Sequence, residues 1–238
     1  MLLGLNQVLI NLDLKQKFNN MISIIIPTRE KVKELNITLD SIISTANSIS
    51  NYEILLGVDY DDVETIEFVN NYSSDSNIKV IYFDRQYYNN LHVYYNILSE
   101  NAVGDLLWMF ADDCKILSND WDLYLKKYEI TFNYIKVKLI ESNWKTNFSL
   151  IPIIPKKWFD LTHRISEYSQ IDGWLWGIAM NLNISVYDED IVVTNFISAN
   201  AGLHAHSYTN SNGDTFENAC DSPELKNDIE LIKEYLKI

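Results

Sequence analysis

Short apolar segments alternate with amphipathic ones along the chain after Met21. Each short segment is rich in Ile, Leu or Val and predicts a buried strand, whereas the segments between them repeat apolar residues at helical spacing. Strands that alternate with helices of about 10 to 15 residues indicate βαβ units and a parallel sheet. The predicted strands are 22–27, 52–58, 78–83 and 104–110, and the helices between them cover 63–72, 89–101 and a segment with Leu35, Leu39, Ile42 and Ile43 on one face.

The pattern becomes less regular after Asp120. It predicts helices at 121–130, 155–161, 172–182 and 223–238, and strands at 135–140, 148–154, 184–187 and 191–193, the last two as edge strands. We therefore predict an α/β protein with a helical N-terminal extension at 1–20, one domain at 21–220 and a C-terminal helix at 221–238.

Composition narrows the functional classes. The 238 residues are 47% hydrophobic and 13% aromatic, which is typical of a globular protein. The net charge of −14 argues against nucleic acid as a partner, because phosphate contacts need clustered Lys and Arg. No segment reaches the roughly 18 uncharged apolar residues that a membrane span needs. Two cysteines, Cys114 and Cys220, are too few for a disulfide framework and favour a reducing, cytoplasmic location.

Acidic residues cluster where the predicted strands end or a helix begins. The carboxyl ends of parallel strands share one edge of a sheet, where ligands of open α/β sheets bind. The adjacent Asp112 and Asp113 repel one another unless a cation neutralises them, and Mg²⁺ or Mn²⁺ prefers such oxygen ligands together with substrate phosphates. A solvated turn remains the alternative there, and helix capping remains an alternative for Asp59 and Asp62.

Two further groups have more than one interpretation. His204 and His206 are separated by one alanine, so in an extended segment only one of them would point to a given site. A neutral imidazole is a good ligand for Mn²⁺. Ordinary surface or core histidines are the alternative. Trp174 and Trp176 lie on a predicted apolar helix. Core packing is expected for at least one of them, and stacking on a sugar ring is the functional alternative.

The order of these motifs resembles that of family-2 glycosyltransferases of the GT-A fold, especially small single-domain members from phages, large viruses and bacteria. The resemblance covers about 200 residues, from Met21 to Phe216. The motifs are Ile24-Ile-Ile-Pro27-Thr28-Arg29, Val58-Asp59-x-Asp-Asp, Arg85, Leu91-His92 with Asn96, Gly104-Asp105 to Ala111-Asp112-Asp113, Asp120-Trp121-Asp122, and His204-x-His206 with Asp214-Thr215-Phe216.

The resemblance implies a role for each matching residue. It places the nucleotide against residues of the 21–113 half and the sugar and acceptor in the 114–220 half. The nucleotide-binding residues would be Pro27, Thr28, Arg29, Asp59, Arg85, Asn96 and Asp112. Asp113 would bind Mn²⁺ or Mg²⁺, with His204 or His206 as a further ligand, because Ala111 removes the first carboxylate of the usual Asp-x-Asp motif. Asp172 would be the catalytic base, and Trp174 and Trp176 would contact sugar or acceptor.

The implied activity is metal-dependent, inverting transfer of a hexosyl or deoxyhexosyl group from a nucleotide sugar to a hydroxyl of a glycan or other acceptor. UDP is favoured because Asp59 suits the uracil imide, and dTDP and GDP remain open. Sugar nucleotidyltransferases usually carry a glycine-rich loop after the first strand, which Pro27 to Lys31 lacks. A non-catalytic nucleotide- or glycan-binding domain is the alternative that Ala111 supports, whereas the retained Asp113, His204, His206 and Asp172 count against it. A DNA-modifying transferase is disfavoured by the acidic charge.

Overall fold

A computed structural model describes residues 21–72, 77–140, 148–195 and 222–238. The predicted extension at 1–20 and the candidate ligands His204 and His206 lie outside the described residues. The strands are β1 (Ile22–Thr28), β2 (Tyr52–Asp59), β3 (Ile78–Phe83), β4 (Leu106–Met109), β5 (Cys114–Ile116), β6 (Tyr134–Ile140), β7 (Ile153–Pro155) and β8 (Ser185–Asn195). The helices are α1 (Val32–Thr45), α2 (Val63–Asn71), α3 (Leu91–Glu100), α4 (Trp121–Leu125), α5 (Lys156–Thr162), α6 (Ile171–Leu182) and α7 (Pro223–Leu236).

One mixed sheet runs through the described residues, in the order β3-β2-β1-β4-β7-β6-β8-β5. The first four strands are parallel, and antiparallel pairs join β4 to β7, β7 to β6 and β8 to β5. The chain moves outward from β1 to β3 and then returns to the other side of β1 with β4. Ligands of open α/β sheets bind beside the strand ends at such a reversal.

Both faces of the sheet are covered, which explains the continuous apolar runs of the parallel strands. On one face, Ile24 and Ile26 pack with Leu35 and Leu39 of α1. On the other face, Ile25 belongs to a cluster built largely from α3, α5, α6 and α7. The predicted α/β class with a mostly parallel sheet and a smaller antiparallel part is confirmed.

The second half of the chain differs from its prediction at several elements. β5 was not predicted, because three residues after a polar turn carry no period. The strand predicted at 148–154 is confined to β7. The two predicted edge strands are one continuous strand, β8, which lies between β6 and β5 and passes a register irregularity opposite Val137 and Lys138. Of the helix predicted at 121–130, only Trp121–Leu125 is α-helical, and a 3₁₀ turn follows at Lys126–Tyr128.

No helix within the described ranges combines the length and the apolar character that crossing a membrane requires.

Candidate active site

The ends of β1 and β4 bring the first candidate residues together. The Thr28 hydroxyl donates to Oδ2 of Asp112 over 3.0 Å, and the Thr38 hydroxyl of α1 donates to the Asp112 carbonyl oxygen over 2.9 Å. Asp112 is thus buried and fixed at both its side chain and its backbone. Burial raises the pKa of its carboxyl, although Lys31 opposes that shift.

Lys31, which was not predicted as a site residue, lies between the two adjacent carboxylates. Its Nζ is 3.0 Å from Oδ1 of Asp112 and 3.1 Å from Oδ2 of Asp113. Burial lowers the pKa of this amine, but the two carboxylates together outweigh that effect and raise it. The amide of Asn195, at the end of β8, donates to Oδ1 of Asp113 over 3.1 Å. Neither Lys31 nor Asn195 has a local sequence signal, because 81 and 82 residues separate them from their acidic partners.

Asp59 ends β2 and is buried beside the same edge. Its Oδ2 accepts from Nη1 of Arg29 over 2.9 Å, and its Oδ1 accepts from the hydroxyl of Tyr94 on α3. Arg29 also binds the exposed Asp61, and this hydrogen bond, against the opposing effect of burial, is the largest cause of the raised pKa of Arg29. The carboxylate predicted to read the nucleobase is therefore held by two donors of the protein.

Asp62 has the capping role that was its alternative interpretation. Its side chain accepts from the Thr65 N–H over 3.2 Å as the N-cap of α2, and from the Glu30 N–H over 2.8 Å. The same carboxylate therefore fixes both the start of α2 and the loop after β1.

Asp172 lies in the first turn of α6 and is partly buried. Burial raises the pKa of its carboxyl to about 6, although Oδ1 accepts from the Gly173 N–H over 2.8 Å. After burial, the charges of Asp112 and Asp172 are both among the causes that raise the pKa of Tyr95. Both carboxylates therefore lie near the buried Tyr95 phenol. The Tyr95 hydroxyl itself donates to the Phe110 carbonyl oxygen over 3.0 Å.

Asn96 and Arg85 occupy less direct positions. Oδ1 of Asn96 accepts from the Ile165 N–H over 2.6 Å, and its amide donates to the Ser166 carbonyl oxygen over 2.9 Å. The side-chain amide of Asn96, which was predicted to bind the nucleotide, is therefore used to hold the segment that leads into α6. Arg85 is exposed, with its guanidinium 4.6 Å from the centre of the Tyr87 ring.

The two tryptophans of α6 have different surroundings. Trp174 is buried, stacks on Tyr168 with ring centres 5.7 Å apart, and donates its indole N–H to Asp228 over 3.3 Å. This is the environment of a core residue, so the prediction of a sugar contact is corrected for Trp174. Trp176 is only partly buried, with the Lys136 ammonium 4.9 Å from its ring centre, and remains the sugar-contact candidate of the pair.

The donor set at the acidic pair fits a divalent ion. Within the described ranges, no group of three or more His, Cys, Asp or Glu side chains converges on one point. Asp112 and Asp113 do converge on one cation, the Lys31 ammonium. Mg²⁺ is usually bound through one or two carboxylates plus substrate phosphates, so two protein carboxylates are a sufficient set.

The mixed sheet with its reversal of strand order, and the acidic pair after β4, define an α/β domain of the GT-A type. The chain belongs to glycosyl transferase family 2, whose family model matches residues 23–181. No curated protein sequence matches the chain significantly.

Solved structures share this fold at low sequence identity. S. aureus TarS superposes with a TM-score of 0.61 and 14% identity over 75% of this chain and 37% of its own. TarS 1–349 in complex with UDP-GlcNAc gives a TM-score of 0.60 and 15% identity, over 75% of this chain and 59% of that one. The mannosyltransferase PcManGT from Pyrobaculum calidifontis, in complex with GDP-Man and Mn²⁺, gives a TM-score of 0.65 and 13% identity. The match covers 94% of this chain and 74% of that one. The chain thus spans between 37% and 60% of the TarS chains that it matches.

Proposed function

We propose that the protein is a metal-dependent, inverting glycosyltransferase that uses a UDP-sugar and a hydroxyl acceptor, with residues 21–113 binding the nucleotide and 114–220 the sugar and acceptor. The observation that carries the proposal is the Asp112–Asp113 pair, whose carboxylates converge on one cation position after β4, at the reversal of strand order. Membership of glycosyl transferase family 2 supports the reaction class. The bound UDP-GlcNAc and GDP-Man of the similar structures support a nucleotide-sugar donor.

The residues divide the reaction between them. The Asp172 carboxylate takes the proton of the acceptor hydroxyl while that oxygen forms a bond to the anomeric carbon, and the bond from this carbon to the diphosphate breaks on the opposite face. Asp113, with His204 or His206, would hold Mn²⁺ or Mg²⁺, which would supply charge neutralisation for the leaving diphosphate. Asp112, which was expected to bind the nucleotide, would also contact the ion, because its Oδ1 faces the same cation position as Oδ2 of Asp113. Pro27 and Thr28 would line the nucleotide pocket and Asp59 would face the base. Arg29, which is bonded to Asp59, and Arg85 would contact the phosphates.

A panel of nucleotide sugars tests this proposal directly. Donor hydrolysis or transfer with Mn²⁺ is expected for one or a few UDP-sugars, and GDP- and dTDP-sugars identify the base preference. The non-catalytic alternative, to which Ala111 gives weight, predicts nucleotide-sugar binding by calorimetry without turnover of any member of the panel.

Transfer is expected to depend on pH through Asp172. A base must be ionised, and burial raises the pKa of this carboxyl to about 6, so kcat/KM should rise with pH up to about 6 and then level off. A profile between pH 4.5 and 8 at saturating Mn²⁺ measures this dependence. Asp172→Glu, which keeps a carboxylate, should retain an inflection at a shifted pH. A wild-type profile without an inflection between pH 5 and 7 would assign the base elsewhere.

Removal of divalent ions is expected to weaken UDP binding by at least about tenfold, because the carboxylates then repel the diphosphate. Calorimetry in Mn²⁺ and in EDTA measures the difference. Uridine is the matched control, because it lacks the diphosphate and its affinity should be the same in both buffers. Equal UDP affinity in the two buffers would contradict the proposed metal role.

A further inference from the structure

The acidic pair is built so that two of its four carboxylate oxygens are held by neutral donors. Oδ2 of Asp112 accepts from Thr28 and Oδ1 of Asp113 accepts from Asn195. The remaining oxygens, Oδ1 of Asp112 and Oδ2 of Asp113, both face the Lys31 ammonium at 3.0 and 3.1 Å. The two carboxylates are therefore fixed independently of the lysine, and they present a preformed pair of oxygens to whatever cation lies between them.

Lys31 is the least enclosed member of this cluster. Its side chain is 44% exposed, against 10% for Asp112 and 26% for Asp113. It occupies the N-cap position of α1 without a side-chain hydrogen bond to that helix. A flexible four-carbon stem at a helix start can swing towards solvent while the two fixed carboxylates stay in place.

The Lys31 ammonium and a divalent ion would compete for the same position between Asp112 and Asp113. One ammonium between two carboxylates leaves a net charge of −1, which disfavours an incoming diphosphate, whereas a divalent ion neutralises the pair. An ion such as Mg²⁺ binds carboxylate oxygens at about 2.0 to 2.1 Å, so it would lie between the same two oxygens that now contact the ammonium. Both cations cannot occupy that position together.

We propose that Lys31 is an exchangeable counter-ion of the Asp112–Asp113 pair. It neutralises part of the pair while the donor is absent, and it gives way when a divalent ion and a nucleoside diphosphate enter. The displaced ammonium then pairs with the diphosphate. Lys31 is thus a positioning residue that links metal entry to donor entry, and this inference rests on the proposed function.

Titration of the nucleotide-free protein with Mn²⁺ alone tests the competition. Lys31→Met should bind Mn²⁺ about tenfold more tightly than wild type, because the competing positive charge is removed. Its UDP affinity at saturating Mn²⁺ should fall several-fold, because the diphosphate loses an ammonium partner. Lys31→Arg, which keeps the charge, should stay close to wild type in the Mn²⁺ titration.

Lys127→Met is the matched control. Lys127 is 47% exposed and lies 2.8 Å from the buried carboxylate of Asp188 and 3.8 Å from Asp190, so it also joins two aspartates and its loss changes the net charge equally. The inference is overturned if Lys31→Met binds Mn²⁺ no more tightly than wild type, if Lys127→Met produces the same gain, or if none of the proteins binds Mn²⁺. Because the titration contains no donor, its outcome is independent of whether any nucleotide sugar is turned over.

Discussion

The Asp172→Asn variant is expected to bind UDP like wild type and to lose sugar transfer by about 10²- to 10⁴-fold, the usual contribution of a general base. Asparagine keeps an oxygen that can accept from the Gly173 N–H, so the start of α6 is preserved. It cannot take a proton from an acceptor hydroxyl. Calorimetry with UDP and Mn²⁺, together with turnover at pH 7.5, separates the two functions, and undiminished turnover would exclude Asp172 as the base.

The stability of the same variant distinguishes a lost base from a damaged fold. Burial raises the folded-state pKa of Asp172 from 3.8 to about 6, so between these values the folded protein binds more protons than the unfolded chain, and stability falls as pH rises. Ionised Asp172 therefore costs about 1 to 3 kcal/mol at neutral pH. Asp172→Asn should resist urea better than wild type at pH 7.5 and lose this advantage near pH 4. A variant less stable at both pH values would indicate a structural carboxyl.

The Asp228→Ala variant is expected to lower the free energy of unfolding by about 3 kcal/mol. Asp228 is fully buried on α7 and accepts from Arg164 at 3.1 to 3.2 Å and from the Trp174 indole at 3.3 Å. Among the described residues, its removal leaves the partly buried guanidinium of Arg164 with Glu167 as its acidic partner, and it leaves the buried Trp174 indole N–H unsatisfied. Urea unfolding followed by tryptophan fluorescence measures the loss.

Glu230→Ala is the control on the same helix. Glu230 is exposed and pairs with Lys233 at 2.8 Å three residues along α7, so its loss should change stability by no more than about 0.5 kcal/mol. If the two variants unfold at the same urea concentration, Asp228 does not anchor α7.

The central strands of the parallel half, β1, β2 and β4, were predictable because they are buried on both faces. In β1 every residue except Pro27 is buried, and the limits of the strand were predicted to within one residue. The placement of Asp59, Asp112 and Asp113 at strand ends followed from the same pattern. The roles of these acids were expected from the family resemblance, and family membership was confirmed.

The remaining features depend on contacts between distant residues. The lysine between Asp112 and Asp113 belongs to a different element, and a lone basic residue at a helix start usually contacts solvent. The core position of Trp174 depends on α7, which follows it by about fifty residues. β5 is defined by pairing with β8 rather than by its own three residues.

Three consecutive residues of α3 contact three different parts of the candidate active site. Tyr94 bonds to Asp59, Tyr95 to the backbone of Phe110 just before the acidic pair, and Asn96 to the segment that leads to Asp172. One turn of helix thus fixes the spacing between Asp59, the acidic pair and the segment that leads to Asp172, the proposed catalytic base. Any displacement of that turn would disturb donor affinity and turnover together.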